Sequence, residues 1–164
     1  MSKSDSGAVG KWAEIIGSSL TWEQAHASLD NAVKGLSPEA RGKRPANYPH
    51  SAWELLDHIR RTQHDLLEFC ANAKYHEPKW PDDYWPGSPE PSSKTAWEEC
   101  LTAIHADAKA LANFTVKNVA TLTDKIPHGT GQTYLRTVLV AVDHTSYHVG
   151  QIVAVRRLLG AWPS

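Results

Sequence analysis

Apolar residues recur along this chain at helical spacing, and no segment shows sustained strand alternation. Four stretches carry the pattern. The first runs from about Thr21 to Leu36, with Trp22, Ala25, Leu29, Ala32, Val33 and Leu36 on one face. Thr21-x-x-Gln24 has the form of a capping box, and Ser37-Pro38 marks the end, where Pro38 can also open a short extra turn. The second begins after Pro49 with the capping pattern Ser51-x-x-Glu54, and its stripe is Ala52, Leu55, Leu56, Ile59, Leu66, Phe69 and Cys70. The third spans about Ser93 to Phe114, with Thr95-x-x-Glu98 at its start. Its Trp97, Leu101, Ile104, Ala108 and Leu111 alternate at spacings of four and three, a bundle seam. The fourth runs from about Thr133 to Leu159, with Gly160 as its stop. Its many β-branched residues weaken intrinsic propensity, so packing must hold it. Gly150 lies inside it at a cost of about 1 kcal/mol relative to alanine, and close packing on a neighbouring helix is the expected reason.

Before the first stretch, Met1 to Gly10 reads as a polar tail, and Trp12 to Ile16 as a short additional helix. This divides the chain into residues 1–19, a tail with that short helix, and residues 20–164, one bundle domain. The connection 71–92 is different in kind. It holds Pro78, Pro81, Pro86, Pro89 and Pro91, which exclude regular helix, and Tyr75, Trp80, Tyr84 and Trp85, which can anchor an ordered loop. The fold class that follows is all-α: a four-helix bundle with a long Pro/Trp-rich crossover between helices 2 and 3.

Composition narrows the possibilities. With 164 residues, 41% hydrophobic and 21% charged, the chain is long enough for one well-buried core. Its formal charge of −1 lacks a basic block, which argues against nucleic acid as a partner. No apolar run approaches the roughly 18 residues of a membrane span. Two cysteines without a CxxC, Cys70 and Cys100, fit a reduced cytoplasmic protein with no structural disulfide.

The chemistry lies in the nine histidines. His144 and His148 are four residues apart in the last helix, so both rings leave one face, about 6 Å apart along the axis. His58 occupies a similar flank of the second helix. If the two helices pack together, the three could bind one divalent metal, with coordination positions left for water and substrate. The competing reading is a set of polar helix histidines without a ligand. Zinc and nickel both accept imidazole, so the ligands do not choose between them. Glu54 and Gln151, each about one turn from a candidate ligand, could orient one, although ordinary polar roles compete for both. His26 and His105 read as partly buried packing or boundary residues, His64 points away from His58, and His76 sits in the crossover. Ser146 leaves a different face from the histidine pair. There is no Walker loop, GxGxxG, GxSxG or HExxH glutamate, so no catalytic residue beyond the metal ligands is nominated.

The stretch from Pro49 to Arg60, PHSAWELLDHIR, resembles the second-helix signature of DinB-like proteins of the DinB/YfiT type. Ile126-Pro127-His128-Gly129, Gln132-Thr133 and the run from Asp143 to Gln151 resemble their final helix and its approach, and Trp80-Pro81 and Tyr84-Trp85-Pro86 their crossover. The similarity covers the chain from about residue 20. It implies an up-up-down-down bundle, a metal held by His58, His144 and His148, and a homodimer. Relatives include bacillithiol transferases and mycothiol-dependent enzymes, in which a metal-bound thiolate attacks an electrophile. The resemblance therefore suggests a metal-dependent S-transferase taking a low-molecular-weight thiol and a small-molecule substrate. The alternatives are a metal-dependent hydrolase in the same pocket and a non-catalytic metal- or ligand-binding dimer.

Overall fold

The computed structural model describes the backbone of residues 3–21 and 25–163 and the side chains from Gly10 onward within them. Four long helices dominate: α1 (Lys3–Ser18), α4 (Ala52–Ala71), α5 (Ala96–Lys117) and α6 (Tyr134–Leu158). Two short ones, α2 (Leu29–Val33) and α3 (Pro38–Arg41), lie between the first two, and a 3-10 turn (Val119–Thr121) follows α5. Among the described residues there is no strand, and the only bridge, Lys125 to Thr133, closes the approach to α6. No described helix is long and apolar enough to cross a membrane.

α4 is the central element, packed against α5 on one side and α6 on the other, while α1 lies against α5. Its start is well specified. Ser51 Oγ accepts from the Glu54 amide at 3.1 Å, and the Glu54 carboxylate accepts from the Ser51 amide at 2.8 Å, so the expected capping box is present. α5 buries Trp97, Cys100, Ile104, Ala108, Leu111 and Thr115, a four-three alternation close to the one expected. Thr95 makes no side-chain cap there. Ser93 Oγ accepts the Ala96 amide at 3.0 Å instead. α6 is capped by Thr133, which accepts from the Arg136 amide at 3.2 Å, and ends before Gly160 in the left-handed region at φ 67°.

The N-terminal third departs from expectation. From Lys3 to Gly10 the polar opening is not a tail but the first half of α1, and Gly17 explains how α1 reaches its neighbour. A Cβ there would stand 3.1 Å from the Ala112 carbonyl oxygen, so glycine permits close approach to α5. The expected helix from Thr21 to Leu36 is not continuous. Its Trp22 and Gln24 lie outside the described residues, Ala25 to Ser28 are not helical, and only Leu29–Val33 forms a turn of helix. Two local signals break it. Ser28 caps the short helix by accepting from Asn31, and Gly35 turns the chain at φ 71°. Pro38 does open the short helix α3. Gly150 also differs: a Cβ there would meet nothing within 4 Å, so no close helix packing explains it.

The crossover is ordered, as its aromatics suggest. Tyr75 and Tyr84 each donate a phenolic hydrogen bond to Asp65 of α4, at 2.7 and 2.8 Å. Arg61 donates to the Asp83 carbonyl at 3.0 Å, and Ser51 Oγ donates to the Pro89 carbonyl at 2.6 Å. The whole segment is thereby tied along α4. The main core lies beneath it, where Trp53, Leu55, Leu56 and Ile59 of α4 meet Trp97 and Ile104 of α5 and Val149, Ile152 and Val155 of α6.

Candidate metal centre

The seam between α4 and α6 brings the three nominated histidines together. Ring centroids stand 4.8 Å apart for His58 and His144, 4.6 Å for His58 and His148, and 4.4 Å for His144 and His148. One ring nitrogen from each lies within 4.8 Å of the others. His58 and His148 are buried and His144 half-buried. Helical spacing explains the pair on α6, and the packing of α6 onto α4 supplies the third ring.

The outward nitrogens define what the inward ones can do. His58 Nδ1–H donates to the Tyr84 carbonyl at 2.8 Å, since a carbonyl can only accept. His148 Nδ1 is 2.7 Å from Gln151 Oε1, and the Gln151 amide nitrogen donates to the Tyr147 hydroxyl at 3.2 Å. With both Nδ1 atoms protonated, Nε2 of each ring carries a lone pair. His58 Nε2 is 3.1 Å from His144 Nε2, so those two nitrogens aim at a common point. This is the tautomer pattern of metal-ligating histidines whose second nitrogen is held by an outer partner.

Electrostatics agree. Burial, reinforced by the charges the neighbouring imidazoles would carry, pushes His144 down to about 3. Burial and His58 push His148 down to about 4, against the Gln151 hydrogen bond that raises it. Burial also lowers His58, opposed by its bond to Tyr84. All three rings are therefore neutral at pH 7, the state that can coordinate a cation.

The surroundings are aromatic rather than acidic. Trp85 stacks on His58 at 3.9 Å with planes 4° apart, and also on His50 at 4.3 Å and 12°. Tyr147, 63% exposed, stands with its ring 5.0 Å from that of His148 and marks the solvent side. Glu54 does not join the set. Arg44 binds it with two nitrogens, one of them at 2.8 Å, and it serves the cap of α4. Burial opposes its ionisation, but Arg44 and Ser51 outweigh that and hold its carboxyl below the usual range. Gln151 is the residue that takes the orienting role.

The remaining candidates lie elsewhere. His26 and His105 are exposed rather than partly buried; His105 meets Asp30 at 2.9 Å and His26 its neighbour's carbonyl. His64 points away to Asp107 at 3.1 Å, and His76 is exposed. Ser146 lines a separate cavity of about 170 Å³ shared with His105 and Gln63. Cys70 and Cys100 are free and buried, and burial pushes both thiols up to about 12. The residues that sequence reasoning missed are His50, whose ring carries no helical pattern, and Tyr84, which acts through a backbone carbonyl.

A sequence model of the DinB superfamily matches residues 21–152. The chain belongs to the DinB superfamily. The match to the superfamily begins just beyond α1, takes in the crossover and all three histidines, and ends one residue past Gln151. No curated protein and no solved structure gives a significant match. The donor set fits a divalent cation: three neutral imidazoles converge, with outer partners fixing two of their tautomers.

Proposed function

We propose that this DinB-superfamily protein is a divalent-metal enzyme that transfers a low-molecular-weight thiol to an electrophilic small molecule. His58, His144 and His148 would hold the ion, zinc or nickel. The observation that carries the metal reading is the outward engagement of both Nδ1–H groups, on Tyr84 and Gln151, which leaves the inward nitrogens free to donate. A divalent cation with three imidazole ligands would act as a Lewis acid that favours the ionised form of a thiol near neutral pH.

Two features of the chain favour thiol transfer over the alternatives. Its own cysteines are buried and held protonated, so the attacking thiol has to arrive with a cosubstrate. The triad is bordered by Trp85, His50 and Tyr147, while Glu54 is committed to Arg44 and Ser51. Hydrolysis would ordinarily be helped by a general base beside the attacking water, whereas a thiol ionises readily without one. Trp85 and Tyr147 would flank the electrophile, with Tyr147 on the side from which it enters.

The test uses protein purified without a histidine tag. Elemental analysis should give one divalent ion per chain, lost in His144→Ala. Turnover of a reactive electrophile should require both the ion and an added thiol. Full thiol transfer by metal-free protein would overturn the proposal. Product formed without any thiol would replace transfer with hydrolysis.

A further inference from the structure

We infer that Asp65 is a positioning residue for His58, acting through the crossover rather than by contact. Asp65 lies two turns beyond His58 on α4, about 10 Å along the axis. Its carboxylate accepts the Tyr75 and Tyr84 phenols at 2.7 and 2.8 Å, one on each oxygen. Both are charge-assisted bonds at half-buried groups, stronger than neutral ones.

Tyr84 is held at both ends. Asp65 holds its phenol, and its own carbonyl accepts His58 Nδ1–H at 2.8 Å. The carbonyl therefore stands where the phenol anchor allows it to stand. Other ties in this part of the crossover are weaker substitutes. Arg61 reaches the Asp83 carbonyl at 3.0 Å but is shared with Asp57 at 2.6 Å, and Trp85 contributes stacking, which does not choose a tautomer.

In a neutral imidazole, the hydrogen bond made by one nitrogen decides where the single proton resides. With the Tyr84 carbonyl in place, the proton stays on Nδ1 and Nε2 faces the other two rings as a lone pair. Without Asp65, the carbonyl is free to drift. His58 then populates the other tautomer, whose proton occupies the nitrogen directed at His144.

The affinity arm of the test rests on the proposed metal reading, whereas the tautomer arm does not. In metal-free protein at pH 7.5, the ring 15N signals of His58, identified by their loss in His58→Gln, should show Nδ1–H in the unaltered chain. Asp65→Ala and Tyr84→Phe should both give a mixture, and Tyr75→Phe should keep Nδ1–H. Zinc affinity should fall about 10-fold in the first two, at the lower end of the range for outer partners of a metal site. The double variant should fall no further, because both act along one path. Asp65→Asn provides a milder second variant should Asp65→Ala not fold. An unchanged His58 tautomer in Asp65→Asn and Tyr84→Phe would overturn the inference. An equal change in Tyr75→Phe would also overturn it, by pointing to general loosening of the loop. If no variant and not even the unaltered chain bound zinc, the metal reading would fail, and the tautomer result would still decide the role of Asp65.

Discussion

The α4–α6 seam and the outer surface along α5 both hold histidines, and they treat them in opposite ways. At the seam, His58, His144 and His148 face one another, and burial drives their protons off. On the outer side, His105 of α5 meets Asp30, both exposed, and the exposed His64 of α4 meets a half-buried Asp107 of α5. The difference is not ring chemistry but what lies opposite. The outer rings each meet a carboxylate at the surface, whereas in the seam other imidazoles and burial give each ring a reason to stay neutral. Only the second environment leaves lone pairs converging, which makes the seam the site and the outer pairs ordinary surface contacts of small energetic weight.

The largest effect expected from this contrast is on metal content. His144→Ala should abolish stoichiometric binding, with an affinity loss beyond the roughly 10–100-fold typical of an outer partner. His105→Ala should leave it unchanged. Titration calorimetry with zinc checks both, and a loss in His105→Ala would erase the distinction between the two regions.

A second contrast is in pH. A histidine whose folded pKa lies below its unfolded value leaves the unfolded chain binding more protons, so stability falls as pH falls through that window. For His144 the window opens near the ordinary 6.5 and closes at about 3; for His148 it closes at about 4. Metal-free protein should therefore keep its full seam contribution above pH 6.5 and lose stability steadily towards pH 4. Urea denaturation at pH 7.5, 6 and 5 measures this. His144→Phe, which cannot take up a proton, should flatten the slope. An equally steep slope in that variant would place the acid sensitivity outside the seam.

Gln151 tests whether the seam depends on its outer partners. Gln151→Leu removes the acceptor at 2.7 Å from His148 Nδ1 and should weaken zinc binding about 10–100-fold, with little change in the urea midpoint. Equal loss of midpoint and affinity would mean that the glutamine serves packing instead.

Much of this seam was legible from the residues alone, because it is built from helical periodicity. His144 and His148 share a face by spacing, Ser51 and Glu54 announce the start of α4, and His58 flanks the apolar stripe of α4, so that only the packing of α4 on α6 had to be supplied by the fold. What was not legible depends on long-range or backbone contacts. The Tyr84 carbonyl has no side-chain signature, and Asp65 gains its role only when the crossover folds back onto α4. The N-terminal reading failed for a related reason. The apolar spacing through Trp22 and Leu36 was helical, but Ser28 and Gly35 are local stop signals that outweigh it. The polar start of α1 has a weak pattern of its own and depends on α5 for its partner.

The smallest effect concerns the solvent side of α6, whose other face carries His144 and His148. Gly150 is exposed, sits two residues beyond His148, and has open space where a Cβ would be. Its helical backbone needs no glycine, so Gly150→Ala should reduce the entropy lost on folding without a clash. The expected gain is about 0.5–1 kcal/mol, read as a higher urea midpoint. Because residues two apart on a helix project about 200° from one another, Gly150 faces away from His148, and zinc affinity should stay within measurement error. A gain in stability with unchanged affinity would show the outer face to be energetically separate from the seam. Weaker zinc binding would instead show that the helix must flex at Gly150 for His148 to reach the ion, and that the two faces act together.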